Sequence, residues 1–247
     1  TQKEIKVKHA RNSNMGLIRE IFKKAKDEGR RVLTEFESKG VIREYGVPTT
    51  VGMLATTSDE AVRIASEIGF PVALKISSPE ITHKTNVEGV RLGVKNTEEV
   101  RDTFNEVIAN VKKHKPNIKI QGVLVQNMAV QGVEVIVGSI RDPQFGSVIM
   151  FGLGGVFVEF LKDVSFRLPP ITRKEALEMV SEVRGYVLLQ GVRGAKPADI
   201  DAVADILEKT SKMVVELPEI FEMEMNPIFV YEKGALAVDA RIVLQTS

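Results

Sequence analysis

The first candidate for chemistry is a lysine within an apolar run and the polar loop that follows it. Lys75 lies in FPVALKI, residues 70–76, and the next segment carries Thr82, His83 and Lys84. Burying an ammonium in a strand is costly unless the side chain points out of the sheet or meets an anion. Hydroxyl, imidazole and ammonium groups are typical ligands of phosphate oxygens. The pattern therefore favours either a phosphate site or the exposed face of an edge strand.

The second candidate is a group of oxygen-bearing side chains near the other end of the chain. Glu222, Glu224 and Asn226 alternate along EMEMNPI, so they share one face of a predicted strand. Asp239 follows on the returning strand, after a turn at residues 233–234. Carboxylate and amide oxygens bind Mg²⁺ when phosphates and water complete its shell. The alternative is a solvated polar face.

Two further motifs have weaker signals. FGLGG, residues 151–155, lacks the GxGxxG spacing of a dinucleotide loop and is flanked by predicted strands, which favours a tight turn between closely approaching backbones. Arg167 and Arg193 are isolated among apolar residues. Each is compatible with binding phosphate, with binding a partner's acidic loop, or with a structural ion pair.

The composition narrows the possible functions. The chain has 247 residues, a formal net charge of +1 and no cysteine. The absence of cysteine excludes disulfides, thiolate metal sites and cysteine nucleophiles. The near-zero charge provides no overall field for nucleic acid or an anionic membrane. No apolar run reaches the ~18 residues of a membrane span, and the polar start is unlike a secretory signal. We therefore expect a cytoplasmic protein with neither nucleic acid nor membrane as partner.

The elements that must position these residues follow from hydrophobic periodicity and turn signals. After an ill-ordered start, the first half predicts helices and strands in mixed order, with Ser58 and Thr97 as helix caps. The predicted helices are 15–29, 31–45, 58–69, 97–115, 173–189 and 198–217. The predicted strands are 50–55, 72–76, 90–94, 118–127, 133–140, 146–152, 156–161, 221–231 and 236–243.

This order predicts an α+β protein with a small α/β lobe followed by a larger antiparallel-sheet lobe. We place an N-terminal helical extension at residues 1–30, the small lobe at 31–120 and the large lobe at 121–247. Ligands often bind in clefts between lobes, so we expect a nucleotide cleft there.

The motifs together resemble one family. FPVALKISSPEITHKTNVEGV, VEVIVGSIRDPQFGSVIMFGLGG and EMEMNPI…AVDARI occur in the order found in the nucleotide-binding β subunit of ADP-forming acetyl-CoA synthetases. That subunit is an ATP-grasp protein similar to the β subunit of succinyl-CoA synthetase. The resemblance covers residues 30 to 247 and implies an ATP-grasp fold.

The resemblance also implies a set of site residues. The residues that match those at the nucleotide phosphates are Lys75, Thr82, His83 and Lys84. The strand that holds the adenine corresponds to Gln126 and Met128, and the carboxylate that binds the ribose corresponds to Glu134. The Mg²⁺ ligands correspond to Asn226 and Asp239, and a carboxylate near the transferring phosphate corresponds to Glu224. The catalytic residues would be Lys75, Glu224 and His83. His83 would act either as a phosphate relay or as a contact to the phosphate.

The resemblance implies a phosphate-exchange activity that uses Mg²⁺. Phosphate would pass between a phosphohistidine and the nucleotide, so that ADP becomes ATP or the reverse. The histidine would belong to a CoA-binding α subunit, and the whole complex would interconvert acyl-CoA, ADP and phosphate with acid, ATP and CoA. Two alternatives remain open. One is a stand-alone ATP-grasp ligase with its own acyl acceptor, and the other is a non-catalytic nucleotide sensor or structural subunit.

Overall fold

The computed structural model describes residues 2–81, 84–154, 163–192, 194 and 196–246, with only the backbone given for 2–14. The chain divides into two compact units. The larger unit comprises Thr1–Leu33, Glu37–Thr49 and Gln131–Ser247, and the smaller unit comprises Thr34–Phe36 and Thr50–Val130. Each unit has its own hydrophobic core.

The helices are α1 (Gln2–Asp27), α2 (Glu35–Glu44), α3 (Ser58–Ile68), α4 (Thr97–His114), α5 (Arg173–Glu182), α6 (Tyr186–Leu189) and α7 (Ile200–Glu216), with a short 3₁₀ helix at Lys84–Val87. The strands are β1 (Gly52–Ala55), β2 (Val72–Ser77), β3 (Val90–Val94), β4 (Gly122–Asn127), β5 (Val133–Asp142), β6 (Gly146–Leu153), β7 (Val164–Arg167), β8 (Ile220–Val230), β9 (Ala235–Ala237) and β10 (Ala240–Leu244).

The smaller unit is a four-stranded antiparallel sheet with the order β1-β4-β2-β3, packed on one face by α3 and α4. Helix α4 buries Val100, Phe104, Val107 and Val111, whose spacing places them on one helical face. Alternate residues of β2 contribute to the same core, namely Val72, Leu74 and Ile76. The residues between them, including Lys75, therefore lie on the face away from these helices.

The larger unit is an antiparallel sheet with the order β10-β8-β5-β6-β7, to which β9 adds by pairing with β8. Helices α5 and α7 pack on one face of it. Met223 and Met225 of β8 belong to the core on that side. Glu222 and Glu224 alternate with them and lie on the opposite face. The predicted α+β arrangement is confirmed.

Several boundaries differ from the predicted ones. Residues 2–14 are helical rather than ill-ordered, and the helix predicted over 173–189 is interrupted between α5 and α6. Strand β7 was not predicted, and the strand predicted at 156–161 lies outside the described residues. The side chains that cap α3 and α4 are Thr57 and Asn96, one residue before the predicted Ser58 and Thr97. Each accepts a backbone N–H three residues later, as a cap must.

The division into units also differs from the predicted lobes. Strand β4, which was assigned to the large lobe, pairs with β1 and β2 inside the smaller unit. Residues 37–49, which were assigned to the small lobe, belong to the larger unit. Among the described residues, no helix is long and apolar enough to cross a membrane.

Candidate functional site

Lys75 lies in the interior of the smaller unit's sheet. Its strand, β2, has neighbours on both sides, and Lys75 pairs with Leu124 of β4 and with Val90 of β3. The residue is only 6% exposed. The alternative of an exposed lysine on an edge strand is therefore wrong. Strand β4, which is distant in sequence, pairs with the side of β2 that β3 leaves open.

The charge of Lys75 is compensated by a residue that sequence analysis did not single out. Glu35, at the start of α2, accepts a hydrogen bond from Lys75 Nζ to its Oε1 at 2.9 Å. The Nζ of Lys84, in the 3₁₀ helix, lies 3.0 Å from the other oxygen, Oε2. We call these three residues, Glu35, Lys75 and Lys84, the lysine cluster. Two cations and one anion leave a formal excess of one positive charge, which suits a phosphate.

Gln126 and Met128 lie at and just after the end of β4. Gln126 pairs with Ala73, which lies two residues before Lys75 on β2. Because side chains alternate along a strand, Gln126 lies on the same face of the sheet as Lys75. Its side chain is buried and accepts a hydrogen bond from the hydroxyl of Thr50 at 3.3 Å. This contact helps to hold the buried amide group in place. Met128 is half-buried, beyond the last residue of β4.

Glu134 is half-buried on β5 of the larger unit, on the sheet face opposite the core residues Val135 and Val137. Its backbone carbonyl accepts a hydrogen bond from Gly154 N–H at 2.7 Å. A Cβ atom at Gly154 would lie 2.9 Å from the Cβ of Glu134. The close backbone approach predicted for FGLGG is therefore confirmed. Its first three residues, however, are the end of β6 rather than a turn.

The oxygen-bearing side chains of β8 are close together in the larger unit. Asn226 Nδ2 donates a hydrogen bond to Glu224 Oε1 at 3.0 Å. Across the sheet, Met225 pairs with Ala240 and Ile228 with Ala237. That register places Asp239, between β9 and β10, opposite Asn226. Residues opposite one another in an antiparallel pair project to the same face.

A β-bulge explains why this segment breaks simple alternation. In the pairing of β5 with β8, Val135 faces Ile228 and Val137 faces Met225, so two residues of β8 stand opposite one of β5. The two residues are Asn226 and Pro227. A bulge re-aims side chains next to functional sites. Here it returns Ile228 to the core while Asn226 stays exposed.

These residues fit a magnesium ion. The bond to Glu224 uses the amide nitrogen of Asn226, so the amide oxygen is not engaged by it and is of the type that Mg²⁺ binds. One carboxylate oxygen of Asp239 accepts the backbone N–H of Ala240 at 2.8 Å, which fixes the orientation of the carboxyl group. In the described part of the chain, no three His, Asp or Glu side chains form a complete metal cage. Mg²⁺ needs no such cage, since it keeps several waters and binds few protein oxygens together with phosphates.

Arg241 is a second residue that sequence analysis missed. It pairs with Glu224 across β8 and β10 and donates a hydrogen bond to Glu222 at 2.7 Å. Its Nε is buried and has no hydrogen-bond partner among the described atoms. The alternation of DARI along β10 was the available signal, because it places an arginine two residues after Asp239. We call the sheet face that carries Glu222, Glu224, Asn226 and Asp239 the acidic face. It therefore also includes a cation, Arg241.

The isolated arginines have different outcomes. Arg167, on β7, forms a two-pronged ion pair with Glu182 of α5 and donates to the carbonyl of Phe166 at 2.9 Å. The hydrogen bonds from Arg167 lower the pKa of Glu182. Arg167 is thus engaged in a structural ion pair. Arg193, Thr82 and His83 lie outside the described residues, although Lys84 directly follows His83 in the sequence.

Comparison with known proteins shows the family of this chain. The family model of the ATP-grasp domain matches its residues 24–244. The β subunit of the ADP-forming acetate–CoA ligase I of Pyrococcus furiosus is 50% identical over 226 residues, which cover 92% of this chain and 97% of that subunit. The chain belongs to the ATP-grasp family, among the β subunits of ADP-forming acetate–CoA ligases.

Solved structures agree with this membership. A chain of the acetyl-coenzyme A synthetase 1 of Ca. Korarchaeum cryptofilum, in complex with coenzyme A and Ca-AMPCP, has a TM-score of 0.90 and 50% identity, covering 92% of this chain and 99% of that one. Another structure of that enzyme holds coenzyme A and Mg-AMPPCP, with a phosphohistidine segment pointing towards the nucleotide-binding site. Its TM-score is 0.82 at 46% identity, covering 92% of this chain and all of that one. The predicted ATP-grasp fold is confirmed.

Proposed function

We propose that this chain performs the nucleotide half of an ADP-forming acyl-CoA synthetase reaction. It binds ADP or ATP with Mg²⁺ and exchanges a phosphoryl group with a phosphohistidine of a CoA-binding α subunit. The net reaction of the complex converts acyl-CoA, ADP and phosphate into acid, ATP and CoA. Support comes from the β-subunit relative in P. furiosus and from the K. cryptofilum enzyme, whose phosphohistidine segment points towards its nucleotide site. A cytoplasmic location is part of the proposal.

The observation that carries the proposal is the lysine cluster. It concentrates buried positive charge in a chain whose overall charge is only +1. Phosphoryl transfer asks the protein mainly for positioning and for neutralisation of charge on the phosphate oxygens. Lys75 and Lys84 provide ammonium groups for that purpose, and Thr82 and His83 belong to the same segment of sequence.

The remaining site residues have distinct tasks in the proposal. The backbone around Gln126 and Met128 holds the adenine, and the Glu134 carboxylate accepts hydrogen bonds from the ribose hydroxyls. Asn226 and Asp239 would hold Mg²⁺, which supplies charge neutralisation on the nucleotide phosphates. Glu224 lies beside Asn226 and orients its amide. In the proposal, its carboxylate is also close to the transferring phosphate.

In the direction of ATP synthesis, a terminal phosphate oxygen of ADP attacks the phosphorus of the phosphohistidine. The new P–O bond forms as the P–N bond breaks, and the released imidazole nitrogen takes a proton from water. Lys75 and Lys84 stabilise the charge on the phosphate oxygens during this exchange. If His83 is a transient acceptor, there are two steps: its imidazole nitrogen attacks the phosphorus as the P–N bond to the α-subunit histidine breaks, and ADP then attacks the phosphorus on His83. If His83 is only a contact, the transfer is the single step above and its imidazole binds the moving phosphate.

The test separates this chain from its partner. The purified chain is expected to bind ADP with Mg²⁺ but to form no ATP from acyl-CoA, ADP and phosphate. Addition of the α subunit, phosphorylated on its histidine with labelled phosphate, should transfer the label to ADP. ATP synthesis by the homogeneous chain alone would contradict the proposal and favour a stand-alone ligase. Nucleotide binding without any label transfer would favour a sensor.

A further inference from the structure

Glu35 is a buried carboxylate shared by two lysines from different parts of the smaller unit. Its side chain is 3% exposed, and its two oxygens contact Lys75 at 2.9 Å and Lys84 at 3.0 Å. Lys75 is in the middle of β2, whereas Lys84 begins the 3₁₀ helix that follows the polar loop. A single carboxyl group therefore fixes the position of both ammonium groups relative to each other.

The burial of this group is better explained by positioning than by stability. Taking charges out of water is so costly that a buried ion pair adds little net stability compared with apolar residues of similar size. What such a group does provide is a fixed geometry for flexible lysine side chains, which otherwise rotate about four bonds. The cluster also brings two ammonium groups together around one carboxylate, an arrangement whose formal charge suits an anion.

We infer that Glu35 is a positioning residue, which holds the ammonium groups of Lys75 and Lys84 in place for the phosphates of the nucleotide. This inference rests on the proposed function, because it takes the two lysines as phosphate ligands. Glu35 acts through the lysines and does not itself contact the nucleotide. Its loss should therefore weaken the binding of phosphates and leave the binding of the nucleoside unchanged.

The chain offers a matched control two residues further along. Glu37 is also a buried glutamate near the start of α2, and its two oxygens accept hydrogen bonds from Arg30 at 2.9 and 3.0 Å. It belongs to the larger unit, whereas Glu35 and both of its lysines belong to the smaller one. Replacing either glutamate breaks a buried ion pair, but only Glu35 is paired with predicted phosphate ligands.

The experiment measures the binding of ADP and of adenosine, each with Mg²⁺, by calorimetry. Glu35→Gln is expected to weaken ADP binding about tenfold or more, the effect of a lost charged hydrogen bond, with adenosine unchanged. Glu37→Gln should bind both ligands like the wild type. Equal weakening of ADP and adenosine by Glu35→Gln would show a structural role, and unchanged ADP binding would show no role. Either result overturns the inference.

Two further variants keep the test decisive. Should Glu35→Gln fold poorly, Glu35→Asp keeps the charge on a shorter side chain, and we expect selective weakening of ADP binding by severalfold. In a Lys75→Met background, Glu35→Gln should have a much smaller effect than in the wild type, because residues that act together are not additive. Additive losses would contradict positioning. A wild-type chain that fails to prefer ADP over adenosine would instead contradict the proposed function itself.

Discussion

The lysine cluster of the smaller unit and the acidic face of β8 in the larger unit are opposite in both charge and burial. Lys75 and Glu35 are almost completely buried, whereas Asn226 is exposed and Asp239 is half-buried. A buried charge cluster is assembled when the protein folds and is present before any ligand arrives. Magnesium ligands need access to water, because the ion keeps part of its hydration shell. We therefore expect the cluster to act on phosphate directly and the acidic face to act only through the metal.

The largest effect is expected at His83, the residue next to the lysine cluster in sequence. If the phosphoryl group passes through this side chain, His83→Ala and His83→Gln should both abolish ATP formation. The α subunit should still become phosphorylated from acyl-CoA and phosphate. Rapid quenching of the wild-type complex should trap acid-labile, base-stable phosphate on this chain, since imidazole is a competent nucleophile near neutral pH.

The glutamine variant distinguishes a relay from a contact. An amide retains one hydrogen bond, so a residue that only contacts the phosphate would lose about 1 kcal/mol, or roughly fivefold in rate, in His83→Gln. Near-normal turnover in both variants without label on the chain would exclude His83 from the phosphoryl path. Lys75 and the metal would then be the main catalytic elements.

The next largest effect is expected from Lys75→Met, which removes one cation and leaves Glu35 with less compensation. Charged hydrogen bonds contribute about 1.5–3 kcal/mol, so ADP binding should weaken roughly 10- to 100-fold. Calorimetric titration should give the same loss with and without Mg²⁺. Lys95→Met, at an exposed lysine of the same unit, is the control and should bind normally. If Lys75→Met weakened ADP binding only in the presence of Mg²⁺, the lysine cluster would act through the metal as the acidic face does, and the proposed difference between the two regions would be wrong.

A smaller and conditional effect is expected from Asp239→Asn on the acidic face. The variant should bind ADP about tenfold more weakly when Mg²⁺ is present, because one charged ligand of few is lost. Without Mg²⁺ its affinity should equal that of the wild type. Glu219→Gln, an exposed acid of the same unit, should be normal under both conditions. Wild-type behaviour of Asp239→Asn in both titrations would contradict the metal assignment.

The smallest effect is expected from a change at Asp199, a carboxylate near the same hairpin to which we assign a structural role only. Asp199 caps α7 and accepts the backbone N–H groups of Gly234 and Ala202, and these bonds lower its pKa. Asp199→Ala should cost about 1 kcal/mol of stability, as for other helix caps, and leave Mg²⁺-dependent binding intact. Thermal unfolding measures the difference.

The pH dependence of that difference follows from the direction of the shift. A carboxyl group with a lowered folded-state pKa stabilises the protein above its unfolded-state value of about 3.9. The contribution is lost as the pH falls through the folded-state pKa. The gap between wild type and Asp199→Ala should therefore be constant near neutral pH and narrow in strong acid. A gap of the same size in strong acid and at neutral pH would show that the charge of Asp199 contributes nothing.

The sequence was most informative where chemistry depends on neighbours along the chain. Glu224, Asn226 and the turn before Asp239 could be predicted because alternation and hairpin register are local. The irregular apolar pattern after Met225 was visible too, although only the pairing with β5 shows that a bulge causes it. Element types were mostly predictable for the same reason, with caps displaced by one residue.

What the sequence could not predict depends on contacts between distant segments. The sequence around Lys75 is compatible with an edge strand, because nothing local shows that β4 pairs with β2. Glu35 could not be predicted as part of the cluster, because its partner Lys75 is 40 residues away and a glutamate is common at a helix start. Arg241 matters only through its cross-strand neighbour Glu224. The pairings of Lys75 and Arg241 arise from sheet topology, and the contact of Glu35 joins the start of a helix to a distant strand, so none of them follows from spacing along the chain.

The packing of Gly52 against Gln126 has a consequence for how this family can diverge. A Cβ atom at position 52 would lie 2.7 Å from the Cβ of Gln126 and 2.9 Å from the carbonyl of Val125. Thr50, by contrast, donates to Oε1 of Gln126, an atom that glutamine and glutamate share. The hydrogen bond from Thr50 therefore needs only an oxygen at position 126, whereas the packing at position 52 needs a glycine in this register. Any homologue with a side chain at position 52 should also have its β1–β4 pairing displaced.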